Sequence, residues 1–398
     1  MVAMAGLASP TSAEPGDAPG QIQRVDGAPV TPGADEIGRI VEEFPSDFSY
    51  SKFTESGDIV VAFAGSEPEG AREILESSGL GVTIVTDTGF IESDLEAPVL
   101  ALGQEAYRSL GLANDVEARP DLQSFIVTVY DEDLDSTRLD EVERTLDAAT
   151  TQRSSSPVAG FRVDVQTSEG DIEPTSWDRA GGTWLVNANS GNGFCTSSFV
   201  AKRVNSAPVG VLTAGHCQTS PTFPVKYYKP FGSHESYNLE FFSSTFASVG
   251  DAAFFRSPRM MDAWYHYDYS SGAPVRLVRD PVRDETVCRF GRVSETYSCG
   301  KVLATHTSWT RRNSDGTSTT IGGVFSVNTF SRKGDSGGPV FTSGSVGQNA
   351  VALGLNSAGR FVSNTDVPVY GDGARMWATR IKHAESLTGT RVCTAPGC

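Results

Sequence analysis

Most of what would send a chain to a membrane, a metal or a phosphate group is missing here. No run approaches the ~18 consecutive apolar residues of a membrane span, and 38% hydrophobic residues with a mean hydropathy of −0.22 fit a globular protein. No Cys-x-x-Cys pair occurs, which weighs against zinc, and no loop has the oxygen-ligand spacing of a calcium site. There is no phosphate loop and no internal repeat. Neither a metal nor another cofactor is therefore expected, nor a nucleic-acid partner. Histidine is scarce, with five in 398 residues. The first 167 residues contain no Cys, no Trp and no His at all.

That last absence divides the chain. Residues 1–167 carry 10 basic and 31 acidic side chains, a net of −21, whereas the remainder carries 22 basic and 18 acidic, a net of +4. A length of 398 residues already exceeds what one hydrophobic core serves. Two domains of opposite charge, drawn to one another, are expected. The plainer reading is an acidic, solubilising arm, but the first region has periodicity that such an arm would lack.

Its pattern is α/β. Ile37, Ile40 and Val41 recur at helical spacing over Asp35–Glu43, and Ala71–Ser78 is also helical in character. Asp58–Phe63, Val82–Thr86, Ser124–Tyr130 and Phe161–Gln166 read as strands, and Leu139, Val142 and Leu146 form one stripe of a helix. At least two strand–helix–strand units follow. Residues 14–34 are rich in Pro, Gly, Ala and Asp and read as a flexible leader. Residues 1–8 are small and apolar, the remnant of a secretion signal or else a disordered tail. Polar, turn-rich stretches at 151–156 and 167–176 are candidate linkers where a protease could cut. After Gly181 short β-rich segments alternate with Gly, Ser and Asn clusters, which predicts an all-β barrel or sandwich, with one helix over Ala374–Ser386.

The six cysteines fall as three sequence-near pairs, Cys195 with Cys217, Cys288 with Cys299, and Cys393 with Cys398. Six cysteines allow about 15 pairings, of which this is one. Disulfides persist in oxidising compartments, so secretion is expected.

Three segments carry chemistry: Leu212-Thr-Ala-Gly-His-Cys217, Gly250-Asp-Ala-Ala-Phe254 and Gly334-Asp-Ser-Gly-Gly-Pro339. A serine hydroxyl is a poor nucleophile at neutral pH and needs a base to take its proton. Imidazole has a suitable pKa, and a buried carboxylate fixes its tautomer. His216, Ser336 and Asp251 are the candidates. Asp262, Asp268, Asp280, Asp284 and Asp315 also lie between His216 and Ser336. The glycines around Ser336 allow a tight turn in which the N–H groups of Gly334 and Ser336 converge as an oxyanion hole.

TAGHC followed by GDSGGP, with an Asp between them, resembles the chymotrypsin-like serine proteases. Val287-Cys-Arg-Phe-Gly291 and Tyr297-Ser-Cys-Gly300 are similar to the streptogrisin type of secreted bacterial endopeptidase. The resemblance covers roughly residues 180–360. It implies an all-β double barrel with a C-terminal helix, preceded by a smaller α/β propeptide domain. The boundaries expected are 1–33 for a signal remnant and leader, 34–167 for the propeptide, 168–180 for the processing linker and 181–398 for the protease. It implies that Arg289 pairs with Asp335 beside the nucleophile, and that Ser357, Ala358 and Gly359 bind the substrate backbone. Phe330 falls at the base of the specificity pocket, where no carboxylate stands to bind Arg or Lys, so a large apolar residue is expected before the scissile bond. The sequence departs from the pattern at Arg332, where most relatives have a cysteine. The implied partners are polypeptide substrates and the chain's own propeptide, around a monomeric, secreted enzyme. The competing readings are a catalytically silent homologue that serves as a secreted binding protein, and an esterase. The latter is opposed by the pairing of TAGHC with GDSGGP in one chain.

Overall fold

The computed structural model describes residues 31–395, apart from 132–133, 135, 152–155, 159, 175–183, 190–192, 205–208, 219–223, 230–234, 268–271, 295–296, 314, 343–349 and 364. The expected signal remnant and most of the leader lie outside these residues, as does Cys398, the expected partner of Cys393.

Two strand–helix–strand crossovers build the acidic region. In the first, strands Ile59–Phe63 and Val82–Val85 run parallel on either side of helix Ala71–Glu76, and Phe48–Phe53 pairs antiparallel at the edge. Helix Ala34–Glu43 begins with Asp35 and Glu36, whose charges oppose the helix dipole. Ile37 and Ile40 of that helix are buried against Phe48, Ile59, Val61 and Phe63. In the second unit, Ser124–Tyr130 and Arg162–Ser168 run parallel around helix Ser136–Thr151. Leu146 and Val142 are buried with Phe125, Val127 and Val163, and helix Glu96–Leu110 adds Val99 and Leu102 to the same core.

From Trp184 onward the described residues are mostly β. Leu185, Val211, Val225 and Phe255 centre one core, between a four-stranded and a five-stranded sheet. Val287, Val302, Phe325, Val340, Leu353 and Met376 centre another. The two modules meet along a third apolar layer that includes Leu212, Phe254, Phe290, Phe341 and Leu355. Disulfides join Cys195 to Cys217 and Cys288 to Cys299, as in the nearest-neighbour reading.

Two elements differ from the sequence reading. The expected helix over 374–386 is strand Met376–Arg380 followed by helix Ile381–Thr388. Met376, Trp377 and Ala378 are all buried, Met376 and Ala378 in the second core, and burial on both faces of a strand masks its alternation. Within the expected linker, Asp171–Pro174 forms a strand paired antiparallel with the end of strand Ala350–Phe361.

The charge contrast has a structural counterpart. Arg279 pairs with Asp35 at 3.1 Å and Lys382 with Glu42 at 3.0 Å, while Arg283 reaches Asp121 and Arg380 reaches Glu96. Arg375 bridges Asp115 at 3.1 Å and Glu117 at 2.9 Å. In every one of these pairs the acid comes from the first 167 residues and the base from the rest. The backbone joins the halves as well: Asn114–Arg119 pairs antiparallel with Tyr297–Arg312, Thr307 standing opposite Glu117 and Thr310 opposite Asn114. One sheet therefore runs through both regions.

Burial pushes the Asp115 carboxyl up to about 6, against the pull of Arg375. Replacing Arg375 leaves two enclosed carboxyls without their cation, and Arg375→Ala is expected to cost about 3 kcal/mol in urea unfolding at pH 7.5. A carboxyl with a raised folded value favours the folded state while protonated. It opposes folding as pH climbs from the unfolded value of about 4 through the raised one. The variant should thus regain stability between pH 7.5 and pH 5; equal stability at both would contradict this account.

Candidate active site

Strand Val209–Thr213 is buried along its whole length and delivers the chain to a short turn, Gly215–Cys217. The glycine in that turn is obligatory: a Cβ at residue 215 would lie 1.8 Å from the Thr245 carbonyl. His216 follows it and is anchored from behind by the Cys195–Cys217 bridge. Strand Gly250–Arg256, paired with the same buried strand, places Asp251 beside it. Both residues belong to the first β module.

Ser336 comes from the second module, on the loop before strand Pro339–Thr342. Gly334 and Gly337 have φ of +102° and +81°, in the left-handed region that side chains disfavour. At Gly337 space forbids a side chain too, since a Cβ would meet the Thr213 hydroxyl at 1.9 Å. Thr196 locks the modules together here: its N–H donates to the Ser336 carbonyl at 2.8 Å and its hydroxyl to the Gly334 carbonyl at 2.8 Å.

The three candidate side chains meet across this seam. The imidazole Nδ1 of His216 lies 2.8 Å from Asp251 Oδ2, and Nε2 lies 2.8 Å from Ser336 Oγ. Asp251 is fully buried, so its charge must be satisfied within the protein. Oδ1 accepts from the His216 backbone N–H at 3.0 Å, and Oδ2 also accepts from the Ser357 hydroxyl at 2.6 Å. With Asp251 as acceptor, Nδ1 carries the ring proton and Nε2 faces the serine as a base. The Phe246 ring stands edge-on to the imidazole, with centroids 5.4 Å apart. Ser336 has no exposed surface in the full chain, and the His216 side chain is 5% exposed.

Asp335 and Arg289 form the expected pair, Nη1 to Oδ2 at 2.9 Å, with both side chains wholly buried. The carboxylate also accepts from the N–H groups of Val293, Ser294 and Arg332 and from the Ser294 hydroxyl. Burial pulls the Arg289 guanidinium below its ordinary value, and the charge of Asp335 opposes that fall. Arg289 Nε donates to the Phe330 carbonyl at 2.8 Å, and its head stands 4.5 Å over the Phe330 ring. Phe330 is half-buried between this cation and Tyr370, whose ring centroid is 4.8 Å away.

Two contributors escaped the sequence reading. Ser357, expected as a backbone-binding residue, donates its hydroxyl to Asp251. Thr379 donates to the Asp251 carbonyl at 2.8 Å from strand Met376–Arg380. No local motif marks Thr379, which lies 128 residues from its partner. Of the remaining histidines, His306 is buried against Arg380, and His383 bonds the Val249 carbonyl. His266 lines a separate pocket with Trp264 and Met260. His234 lies outside the described residues. Among the described residues the one cluster with metal-ligand spacing is Cys195, His216 and Cys217, whose thiols are tied up in a disulfide.

No family model and no curated protein matches the chain. Among solved structures it is similar to a glutamic acid specific serine protease described as using a histidine triad in substrate binding. Identity there is 19%, over 53% of this chain and 98% of that one, with a TM-score of 0.40. Protease A of Thermobifida fusca is 22% identical over 54% of this chain and 98% of that one, with a TM-score of 0.40. A chymotrypsin of Cellulomonas bogoriensis is 20% identical over 54% and 98%, with a TM-score of 0.39. At these scores the likeness carries no argument about activity.

Arg289→Met would leave Asp335 charged, enclosed and short of its cation. A loss of about 3–5 kcal/mol is expected in guanidinium unfolding. A change below 1 kcal/mol would show that the backbone donors alone satisfy the carboxylate.

Proposed function

We propose that the chain is the precursor of a secreted serine endopeptidase of the chymotrypsin-like class, in which His216, Asp251 and Ser336 carry the reaction. The observation that supports this most is the continuous hydrogen-bonded path from Asp251 through His216 to the Ser336 hydroxyl. His216 Nε2 takes the hydroxyl proton as Ser336 Oγ attacks the substrate carbonyl carbon. The oxygen of the tetrahedral intermediate takes the negative charge, and the N–H groups of Gly334 and Ser336 are the donors proposed for it. The imidazolium then protonates the leaving amine, and an acyl-enzyme remains. Water, deprotonated by the same imidazole, releases the acid and restores the serine. Asp251, held by Ser357 and Thr379, keeps the ring in the productive tautomer throughout.

The acidic region acts as an inhibitory propeptide in this reading. Support comes from the one-directional ion pairs, the shared sheet, and the burial of Ser336 while both halves are present. Arg289 already neutralises Asp335, so activation consists of removing the acidic half, with no new ion pair to form. Phe330, an aromatic side chain set between Arg289 and Tyr370, is the support for a large apolar residue before the scissile bond. A silent homologue that binds without cutting is the alternative, and it has no observation in its favour as specific as the triad geometry.

A fluorophosphonate probe should label Ser336 in the processed protein and leave Ser336→Ala and His216→Ala unlabelled. An unreactive processed protein would favour the silent binder. Asp251→Asn should retain the fold and lower kcat by about 10⁴, because the ring then adopts the wrong tautomer. The Ser336→Ala precursor should stay full-length on purification, while the wild type yields a shortened product by N-terminal sequencing.

A further inference from the structure

The pocket that His266 lines with Trp264 and Met260 contains no residue of the triad. It holds about 290 Å³, at the small end of the range for small-molecule sites, roughly 300–1,000 Å³. Tyr227 walls it from the first β module and Pro339 from the second, and residues 260–266 lead from one module to the other. Among the described residues, none of its lining comes from the acidic half. Access to it therefore does not depend on that half.

Three features of its wall describe a ligand. At the mouth, Trp264 is 52% exposed beside Met260, which is 88% exposed. Among the described residues no ring or cation stacks on that indole, so its flat apolar face is available. Deeper in, Ser198 is only 6% exposed, and its hydroxyl has no hydrogen-bond partner among the described residues. The Ser198 N–H is tied to the Leu212 carbonyl at 2.7 Å, which holds the residue in place. A buried hydroxyl without a partner is a cost that a bound hydrogen-bonding group removes. At the rim, Asp262 is exposed and pairs with no cation among the described residues. Arg259 stands close by, 5.1 Å over the Tyr237 ring, so the rim carries both signs and no net charge to select an ion.

We propose that this cavity is a carbohydrate-binding site, which takes a pyranose ring with one C–H face on Trp264 and hydroxyls on Asp262 and Ser198. A sugar ring combines what the wall lacks. It brings an apolar face for the indole, donors for the carboxylate, and a hydroxyl that both gives and receives for Ser198. An organic ammonium ion would suit the aromatic rings, but it would meet Arg259 beside Tyr237. A purely aliphatic ligand would leave Ser198 unpaired. The ring can come from a free sugar or from the end of a polysaccharide, since the chemistry of the contact is the same. The site is separate from the peptidase reading and goes beyond it.

The test reads binding on the full-length Ser336→Ala chain, which needs no cleavage. Mono- and tetrasaccharides of glucose, N-acetylglucosamine, mannose and galactose are titrated by calorimetry, with choline as the rival cation. At least one sugar should bind with a Kd of about 1 mM or below. Trp264→Ala, Ser198→Ala and Asp262→Ala should each weaken that binding about tenfold. Trp264 and Asp262 are exposed, so their variants keep the fold. Ser198→Ala removes a hydroxyl that has no partner among the described residues, so its urea midpoint should not fall. A tetrasaccharide that binds much more tightly than its monosaccharide assigns a polymer as the source, and equal affinities assign a free sugar. No binding of any sugar at about 20 mM, binding of choline alone, or a sugar affinity untouched by Trp264→Ala would each overturn the site. The peptidase reading would survive all three, because neither Ser336 nor cleavage enters the measurement.

Discussion

A carboxylate with no access to water sits at the centre of this structure. The side chain of Asp251 is satisfied by three donors, the backbone N–H and ring Nδ1 of His216 and the hydroxyl of Ser357, while its main-chain carbonyl accepts from the hydroxyl of Thr379. These donors belong to both β modules, so the seam between them must be closed for the charge to be tolerated. The closed seam is also what sets the imidazole against Ser336. The fold and the candidate site draw on the same contacts, and neither module alone contains all three side chains.

The second organising force is weaker for each contact and far more extended. Acidic side chains from one half meet basic ones from the other at Arg279, Arg283, Arg375, Arg380 and Lys382. Pairs exposed to solvent contribute little, whereas Arg375, set against an enclosed Asp115, contributes much more. Sequence composition revealed this complementarity as a contrast in net charge, although it could not say which residues would pair.

Legibility followed sequence distance. The helix at Ala34–Glu43 and the strands at Ile59–Phe63 and Ser124–Tyr130 were readable because their apolar periodicity is local. The turn motifs around His216 and Ser336 were readable because close backbone approach demands glycine at 215 and 337. Strand Met376–Arg380 was read as helix, since a strand buried on both faces shows no alternation. The strand at Asp171–Pro174 looked like a polar linker because its pairing partner lies some 190 residues onward. Thr379 was illegible for the same reason: nothing near it in sequence reveals a carbonyl 128 residues away.

On the proposed precursor reading, the pairing of Asn114–Arg119 with Tyr297–Arg312 has a consequence for what remains once the acidic half is removed. Thr307 to Thr310 would then form an uncovered sheet edge, with main-chain donors and acceptors facing solvent. Such an edge is a template for any extended chain, including another copy. Removal of the acidic half would therefore also create a sticky flank, and the freed molecule would have to stay dilute, or find a new neighbour for that strand, to avoid self-association.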